Sequence, residues 1–206
     1  KLRENAFTAD NSFIADSPKV VNIILETDIE VKSILATREY YKEFSHLLTC
    51  RDIPKLFVIE KKEMESIIGH KIHHNCMLHG IRPKESSLEN LDDNILMLDE
   101  ITSTENVGSI ARSAAALGIN SYLLPKEAPH PYSRRALRVS MGHVTKLHVA
   151  IYDDIFNTIK SLKKNGYKIY GAELTQNAVS LKDVEVNSKW VLLMGHEGKG
   201  LSLEII

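Results

Sequence analysis

Short apolar runs alternate along the chain with amphipathic stretches, in two successive series. In the first series, the pattern predicts strands at 31–37, 55–60 and 74–79, the middle one buried, and helices at 38–48 and 61–68. A further helix is predicted to begin at Ser17-Pro18, with Ser at the N-cap and Pro at the first helical position. This alternation indicates a small α/β unit with a central sheet.

The second series alternates more clearly. Strands are predicted at 95–98, 121–124, 147–151, 168–172 and 190–194, and helices at 108–117, 134–141 and 155–164. The helix at 108–117 is predicted to turn Ile110, Ala111, Ala114, Ala115 and Leu117 inward, and Gly118 to end it in the left-handed conformation. Residues 95–98 are wholly apolar, as in a strand covered on both faces, so this half is predicted to be a parallel α/β domain.

Residues 85–94 are polar and charged and separate the two series. They predict a linker between a first domain at 1–84 and a second at 95–206.

Composition narrows the class of protein. The hydrophobic content of 43% and charged content of 26% are ordinary for a soluble globular protein, and no apolar run approaches the roughly 18 residues that span a bilayer. Two cysteines, Cys50 and Cys76, predict no disulfide framework and favour a reducing cytoplasm. A net charge of −1 argues against nucleic acid coating the whole surface, but allows a local basic cleft. The N-terminal Lys1–Asn5 has neither Met nor a secretory signal, so the chain is expected to be a fragment.

Ligands of parallel sheets bind at the carboxyl ends of the strands. Two loops that follow predicted strands of this chain carry candidate site residues. The loop after 95–98 leads to Asn106 and Gly108, with Arg112 one turn inside the helix beside its apolar face. A buried guanidinium there would need an anion or several acceptors. From the spacing alone, an N-cap Asn followed by an ordinary exposed Arg is the more frequent structure.

The second loop follows 190–194 and carries three glycines, Gly195, Gly198 and Gly200, which suit a tight turn with exposed peptide groups. The spacing of a phosphate-binding P-loop is missing, and so is the dinucleotide fingerprint. A glycine-rich surface turn with no ligand remains open.

Together, the loops resemble the SpoU/TrmH family of knotted SPOUT methyltransferases. Asn106, Gly108 and Arg112 match its Asn-x-Gly-x-x-x-Arg motif. Its Gly-x-Glu-x-x-Gly-Leu motif is matched by Gly195, Glu197, Gly200 and Leu201. Residues 138–142 look like its intervening Ser-x-Gly segment. The resemblance covers 95–206, and 1–84 is more distantly similar to the ribosomal-protein-like α/β substrate-binding domain that often precedes such a SPOUT (α/β-knot) catalytic domain.

The resemblance implies S-adenosylmethionine as cofactor, structured ribosomal or transfer RNA as partner, and methylation of a ribose 2′-hydroxyl. It implies that Arg112 positions the hydroxyl, that Asn106 orients the substrate or Arg112, and that Glu197 joins the two loops. The residues expected to bind the cofactor are Ala172, Glu173, Leu174, Met194, Gly195, His196, Gly198, Gly200 and Leu201. The residues expected to contact RNA are Arg134, Arg135, Arg138, Lys126 and Lys199, although a solvated helix face would explain the arginines equally well.

No metal is expected, because the sulfonium is already an activated methyl donor and because His73, His74 and His79 lack partners at ligand spacing. The family's third motif, an Ile-Pro segment followed by Ser-Leu-Asn and a helix, has no counterpart before Ile206. An incomplete cofactor pocket is therefore expected. A homodimer is implied by the resemblance alone.

Two other classes of function stay open. The chain could be a non-catalytic RNA-binding or assembly protein that keeps the fold, against which Asn106, Arg112 and Glu197 argue. It could also be a nucleotide-binding α/β enzyme with a dehydrogenase-like site, against which the missing glycine fingerprint argues.

Overall fold

The computed structural model describes residues 10–69, 71–202 and 204–205, so Lys1–Asn5 lies outside the described residues. The strands are β1 Ser12–Asp16, β2 Val31–Ala36, β3 Lys55–Val58, β4 Cys76–Ile81, β5 Asn94–Leu98, β6 Ser121–Pro125, β7 His148–Tyr152, β8 Lys168–Ala172 and β9 Trp190–Met194. The helices are α1 Pro18–Leu25, α2 Arg38–Glu43, α3 Ser45–Thr49, α4 Lys61–Ile68, α5 Thr104–Ala116, α6 Arg134–Val139 and α7 Ile155–Lys164.

The chain forms two compact units. The described residues of the first run up to Lys84 and continue with 130–145, and the second comprises 85–129 and 146–206. This division differs from the linear one predicted from the sequence. Residues 130–145 join the first unit because Tyr132 packs edge-on against Phe13, at 5.3 Å between ring centroids. The predicted linker at 85–94 joins the second unit because Leu91 is part of its apolar core.

The first unit contains a four-stranded sheet in the order β1-β4-β2-β3, parallel only between β2 and β3. The predicted burial of the 55–60 strand is wrong. Leu56, Phe57 and Val58 are 50%, 50% and 57% exposed, in contrast to the mostly buried side chains of β1, the other edge strand of the sheet. The helix predicted at 38–48 is interrupted at Phe44, which separates α2 from α3.

The segment 130–145 is held to the first unit by a buried charge cluster. Asp16, at the end of β1, is fully buried and forms ion pairs with Arg134 and Arg138, which lie one turn apart on α6. His74 approaches the same carboxylate, with 3.4 Å between its Nε2 and Oδ2 of Asp16. A carboxylate removed from water needs cationic partners, which the two arginines supply, so the cluster fixes α6 against β1.

The second unit contains a five-stranded sheet in the order β7-β6-β5-β9-β8, with every neighbouring pair parallel. The predicted parallel α/β architecture is confirmed. One face of the sheet packs on α7 through Leu162, which joins a core with Met97, Leu123 and Leu193. The other face meets α5, where the Tyr122 hydroxyl donates to the backbone oxygen of Val107.

Helix α5 begins and turns differently from the prediction. It starts at Thr104, four residues before the predicted Gly108, and its buried side is Val107, Gly108, Ala111 and Ala114. Leu117, predicted to face inward, is 77% exposed, because the helix ends at Ala116. Gly118 does follow in the left-handed conformation, with a φ of 74°.

Candidate functional site

The two glycine- and asparagine-containing loops leave the sheet side by side. Strands β5 and β9 are parallel neighbours with Leu98 opposite Met194, and the pairing continues one residue further, where the Asp99 N–H donates to the Met194 oxygen at 2.8 Å. Carboxyl ends of parallel strands share one edge of the sheet, so the sequence segments that follow them meet there. That edge is the candidate site.

Asn106 links the start of α5 to the loop after β9. Its side-chain Nδ2 donates to Oε1 of Glu197 at 2.8 Å. The N-cap of α5 is Ser103, whose hydroxyl accepts the Asn106 backbone N–H. The interpretation of Asn106 as the N-cap is therefore wrong, and its side chain is available for the neighbouring loop. The expected link through Glu197 is present.

Glu197 is held in its charged form. Hydrogen bonds lower the pKa of its carboxyl, first from its own backbone N–H and then from the Asn106 amide. Beside it, His196 Nδ1 accepts the Gly198 N–H at 2.9 Å and lies 3.9 Å from Oε2 of Glu197. The turn after β9 therefore carries one ionised carboxylate in a fixed position.

The turn itself is closed by its own backbone. His196 and Gly200 exchange two hydrogen bonds, at 3.1 and 2.9 Å between nitrogen and oxygen. A Cβ atom on Gly195 would lie 2.4 Å from the carbonyl carbon and oxygen of Gly200, so only glycine fits there. Gly200 has a φ of 69°, which glycine adopts without strain.

Glu173, the first residue after β8, reaches across to this turn. Its Oε2 accepts the Leu201 N–H at 2.7 Å, and its Oε1 accepts the Leu174 N–H at 2.8 Å. These amides, Leu201 first, lower the pKa of the Glu173 carboxyl. The rim formed by β8, β5 and β9 therefore carries two ionised carboxylates, those of Glu173 and Glu197.

The other residues expected at the cofactor site are placed unequally. Ala172, Leu174 and Gly198 are exposed, and Met194, Gly195 and His196 are half-buried at the end of β9. The Leu201 side chain is buried in the core of the second unit. Only its backbone therefore remains at the rim, where it could take part in cofactor binding as expected.

Arg112 is exposed on α5, six residues after Asn106. The guanidinium is not buried, so the argument that burial demands an anion does not apply, and the alternative of an exposed Arg on the helix describes its position. Within residues 10–69, 71–202 and 204–205, no side chain or backbone group forms a hydrogen bond or ion pair with its guanidinium. All five of its N–H donors are consequently free for a ligand.

The basic residues expected to contact RNA differ in the ion pairs that they form within the protein. Arg134 and Arg138 neutralise the buried Asp16 of the first unit. Lys126 pairs with Asp153 at 2.8 Å, both largely exposed. Arg135 and Lys199 are exposed. Arg134 and Arg138 thus serve the fold, which sequence could not reveal because Asp16 lies more than 100 residues earlier.

Asp99 and Tyr152 are site-edge residues that sequence reasoning did not single out. The Tyr152 hydroxyl contacts the Leu98 oxygen at 2.8 Å and Asp99 Oδ1 at 3.2 Å, which connects the ends of β7 and β5. Burial raises the pKa of the Asp99 carboxyl. The only sequence signal was an acidic residue directly after an apolar strand.

The described residues meet the requirements of neither a membrane-spanning helix nor a metal site. Across 10–69, 71–202 and 204–205, no helix combines the length and apolarity that a membrane crossing requires. The same residues contain no group of three or more His, Cys, Asp or Glu side chains suited to holding a metal ion.

Comparison with known proteins agrees with this geometry. The model of the SpoU rRNA methylase family matches residues 93–206, more than half of the chain and all of the sheet that carries the site. The match therefore includes both the parallel α/β sheet and the candidate site at its edge. The chain belongs to the SpoU rRNA methylase family.

The match to a curated relative covers only part of that protein. A Staphylococcus saprophyticus protein assigned to the TrmH family of tRNA/rRNA methyltransferases is 31% identical over 108 residues, which are 52% of this chain and 43% of that protein. The chain thus spans less than half the length of this curated relative.

Solved structures share the fold over nearly the whole chain. An AdoMet-bound rRNA methyltransferase from Sinorhizobium meliloti has a TM-score of 0.83 at 22% identity, with 98% of this chain and 77% of that chain covered. An RNA 2′-O ribose methyltransferase has a TM-score of 0.74 at 17% identity, with 98% and 78% covered.

Proposed function

We propose that the protein transfers a methyl group from S-adenosylmethionine to a ribose 2′-hydroxyl of a structured RNA. The observation that carries this proposal is the Asn106–Glu197 hydrogen bond, which joins both family motifs at one edge of the sheet. Arg112, the third residue of the first motif, projects from the same helix with its donors free. The structural relatives include an AdoMet-bound rRNA methyltransferase and an RNA 2′-O ribose methyltransferase, which supports the same chemistry.

The residues present fit the cofactor. In the turn at 195–200, Gly198 leaves the backbone open, since a Cβ there would meet only the His196 ring at 3.8 Å, so a flat ligand can approach its peptide groups. The lowered pKa values of Glu173 and Glu197 keep two negative charges at the rim, which favours a cationic ligand. When bound, S-adenosylmethionine supplies an activated methyl group, whose bond to sulfur breaks as the bond to the hydroxyl oxygen forms.

The role of the protein's own residues is then to position the ribose 2′-hydroxyl of the RNA. Arg112 has the fork geometry that holds a ribose oxygen and an adjacent phosphate together. Its guanidinium is always protonated and carries only donors, so it does not accept the hydroxyl proton. We assign the hydroxyl proton to a phosphate oxygen of the substrate. Asn106 and Glu197 keep the start of α5 fixed to the glycine turn, so that the two halves of the site stay in register.

The test is transfer of radiolabelled methyl groups into ribosomal and transfer RNA, followed by mass spectrometry of the nucleosides. Arg112→Ala is expected to lower turnover by about a hundredfold or more, and Arg112→Lys to restore only part of it, because lysine lacks the planar fork. Lys160→Ala, which removes an exposed cation from α7, is the matched control. Wild-type turnover in Arg112→Ala would reject the role of Arg112. Wild-type protein that binds RNA but neither binds S-adenosylmethionine nor transfers a methyl group would favour a non-catalytic binding protein.

The partners proposed for the whole protein are RNA and a second copy of the chain. RNA follows from the family, and the homodimer follows from the resemblance. Four apolar side chains between β8 and β9, namely Leu174, Val179, Leu181 and Val186, are well exposed, as protein interfaces require. Sedimentation velocity measures the oligomeric state, and a monomer across the micromolar range would reject the homodimer.

A further inference from the structure

The contacts of Glu173 show a connection between β8 and the glycine turn that the family motifs do not include. The residue follows β8, whereas the turn follows β9, and its carboxylate accepts the Leu201 N–H at 2.7 Å across 28 positions of sequence. Its other oxygen accepts the N–H of the adjacent Leu174 at 2.8 Å, which fixes the orientation of the carboxylate.

Gly200 leaves the space that this carboxylate fills. A Cβ atom built on Gly200 would lie 1.8 Å from Oε2 of Glu173 and 2.7 Å from its Cδ. Any side chain at position 200 would therefore displace the carboxylate from the Leu201 amide. The glycine thus serves two purposes, since its φ of 69° also favours glycine.

Leu201 anchors the far end of the same turn. Its side chain is buried in the core of the second unit, and Gly171 of β8 leaves room for it, since a Cβ there would lie 3.0 Å from Leu201 Cδ1. The near end of the turn is continuous with β9. The Glu173 carboxylate is therefore the polar contact that ties the backbone at the far end to the neighbouring strand.

We propose that Glu173 is a positioning residue, which sets the affinity for S-adenosylmethionine by holding the Gly195–Gly200 turn through the Leu201 amide. The inference rests on the proposed function, and it differs from the expectation that Glu173 simply lines the cofactor pocket. Because the carboxylate acts on the turn and not on the methyl group, its loss weakens cofactor binding and leaves turnover at saturating cofactor unchanged.

The first test needs no cofactor. In ¹⁵N NMR spectra of the wild-type protein, the Leu201 amide is expected to be protected from hydrogen exchange and to shift with the titration of Glu173. Glu173→Gln removes the charge and presents an N–H group to one of the two amides, so exchange at Leu201 is expected to rise by about tenfold or more. Glu185→Gln makes the same chemical change at an exposed position between β8 and β9 and is the control. Unchanged Leu201 exchange in both Glu173→Gln and Glu173→Ala would overturn the inference.

The second test measures S-adenosylmethionine binding by calorimetry and turnover at saturating cofactor. Glu173→Gln is expected to raise the dissociation constant by about tenfold and to change turnover by less than about twofold. Wild-type affinity in Glu173→Gln would overturn the inference and leave the proposed function intact. Absence of binding by the wild-type protein would instead overturn both the proposed function and this role in it, whereas Leu201 exchange would still report the contact.

Discussion

The side-chain amide of Asn106 donates to the carboxylate of Glu197 at 2.8 Å, although the two residues are 91 positions apart in sequence. Asn106 lies at the start of α5, which follows β5, and Glu197 lies in the turn after β9. The hydrogen bond therefore joins these two segments at one edge of the sheet. Its acceptor is ionised, because the pKa of Glu197 is lowered by its own backbone N–H and by Asn106. Charge-assisted hydrogen bonds of this kind are about twice as strong as neutral ones.

Removal of either partner is expected to lower methyl transfer by similar amounts. Asn106→Ala and Glu197→Ala should each cost about tenfold to a hundredfold in kcat/KM, because the start of α5 is no longer fixed to the turn. Glu197→Gln keeps an acceptor oxygen and should cost less. The double variant Asn106→Ala/Glu197→Ala should be hardly worse than either single variant, which steady-state kinetics will show. Strictly additive losses would mean that the two residues act separately.

The sheet of the second unit could be predicted from the sequence because its strands are nearly continuous apolar runs. Residues 95–98 are buried on both faces, and 190–194 are buried on one face and half-buried on the other, so both strands are apolar runs in the sequence. The loops that follow them could also be placed, since the carboxyl ends of parallel strands define where a site lies. The confirmed parts of the prediction are therefore those that local pattern and sheet chirality determine.

The errors share one physical cause, which is that burial depends on distant partners. The apolar run of β3 gives no sign that its side chains stay uncovered in the folded unit, so their exposure could not be read from the sequence. Arg134 and Arg138 share one helix face by their i,i+4 spacing, and this spacing gives no sign of their ion pairs with Asp16 of the first strand. Leu117, expected on the inward side of α5, is exposed, whereas Val107 and Gly108 are buried there.

Three glycine-to-alanine variants of the turn after β9 are expected to differ sharply. Gly195→Ala should abolish cofactor binding, since its Cβ would lie 2.4 Å from backbone atoms of Gly200 that cannot move aside. Gly200→Ala should weaken binding less severely, because the clashing atoms belong to the flexible end of Glu173. Gly198→Ala is the matched control, since its Cβ would meet only the His196 ring at 3.8 Å. Calorimetric titration with S-adenosylmethionine gives this order, and equal affinities in all three variants would contradict it.

Asp16 is expected to be the most sensitive charged residue of the first unit. Asp16→Ala leaves Arg134 and Arg138 without their carboxylate and should lower the free energy of unfolding by about 3–5 kcal/mol. Urea denaturation followed by circular dichroism measures this change. The single tryptophan, Trp190, belongs to the second unit, so its fluorescence reports separately on the unit that keeps its contacts.

Lys126→Ala, which breaks the exposed Lys126–Asp153 pair, is the control and should leave the midpoint unchanged. A wild-type midpoint in Asp16→Ala would show that the cluster contributes nothing to folding.

His74 should make the stability of the first unit depend on pH. Burial lowers the pKa of its imidazole below the ordinary 6.5, an effect that Arg134 and Arg138 reinforce and Asp16 opposes. Below pH 6.5 the unfolded chain therefore binds a proton that the folded chain resists, and the stability present above pH 6.5 is lost as the pH falls towards the lowered pKa. One proton corresponds to at most about 1.4 kcal/mol per pH unit. His74→Asn should flatten the curve of unfolding free energy between pH 6.5 and 5, whereas His73→Asn, at the exposed neighbouring position, should keep the wild-type slope. Parallel curves for the wild type and His74→Asn would mean that His74 binds its proton equally well in both states.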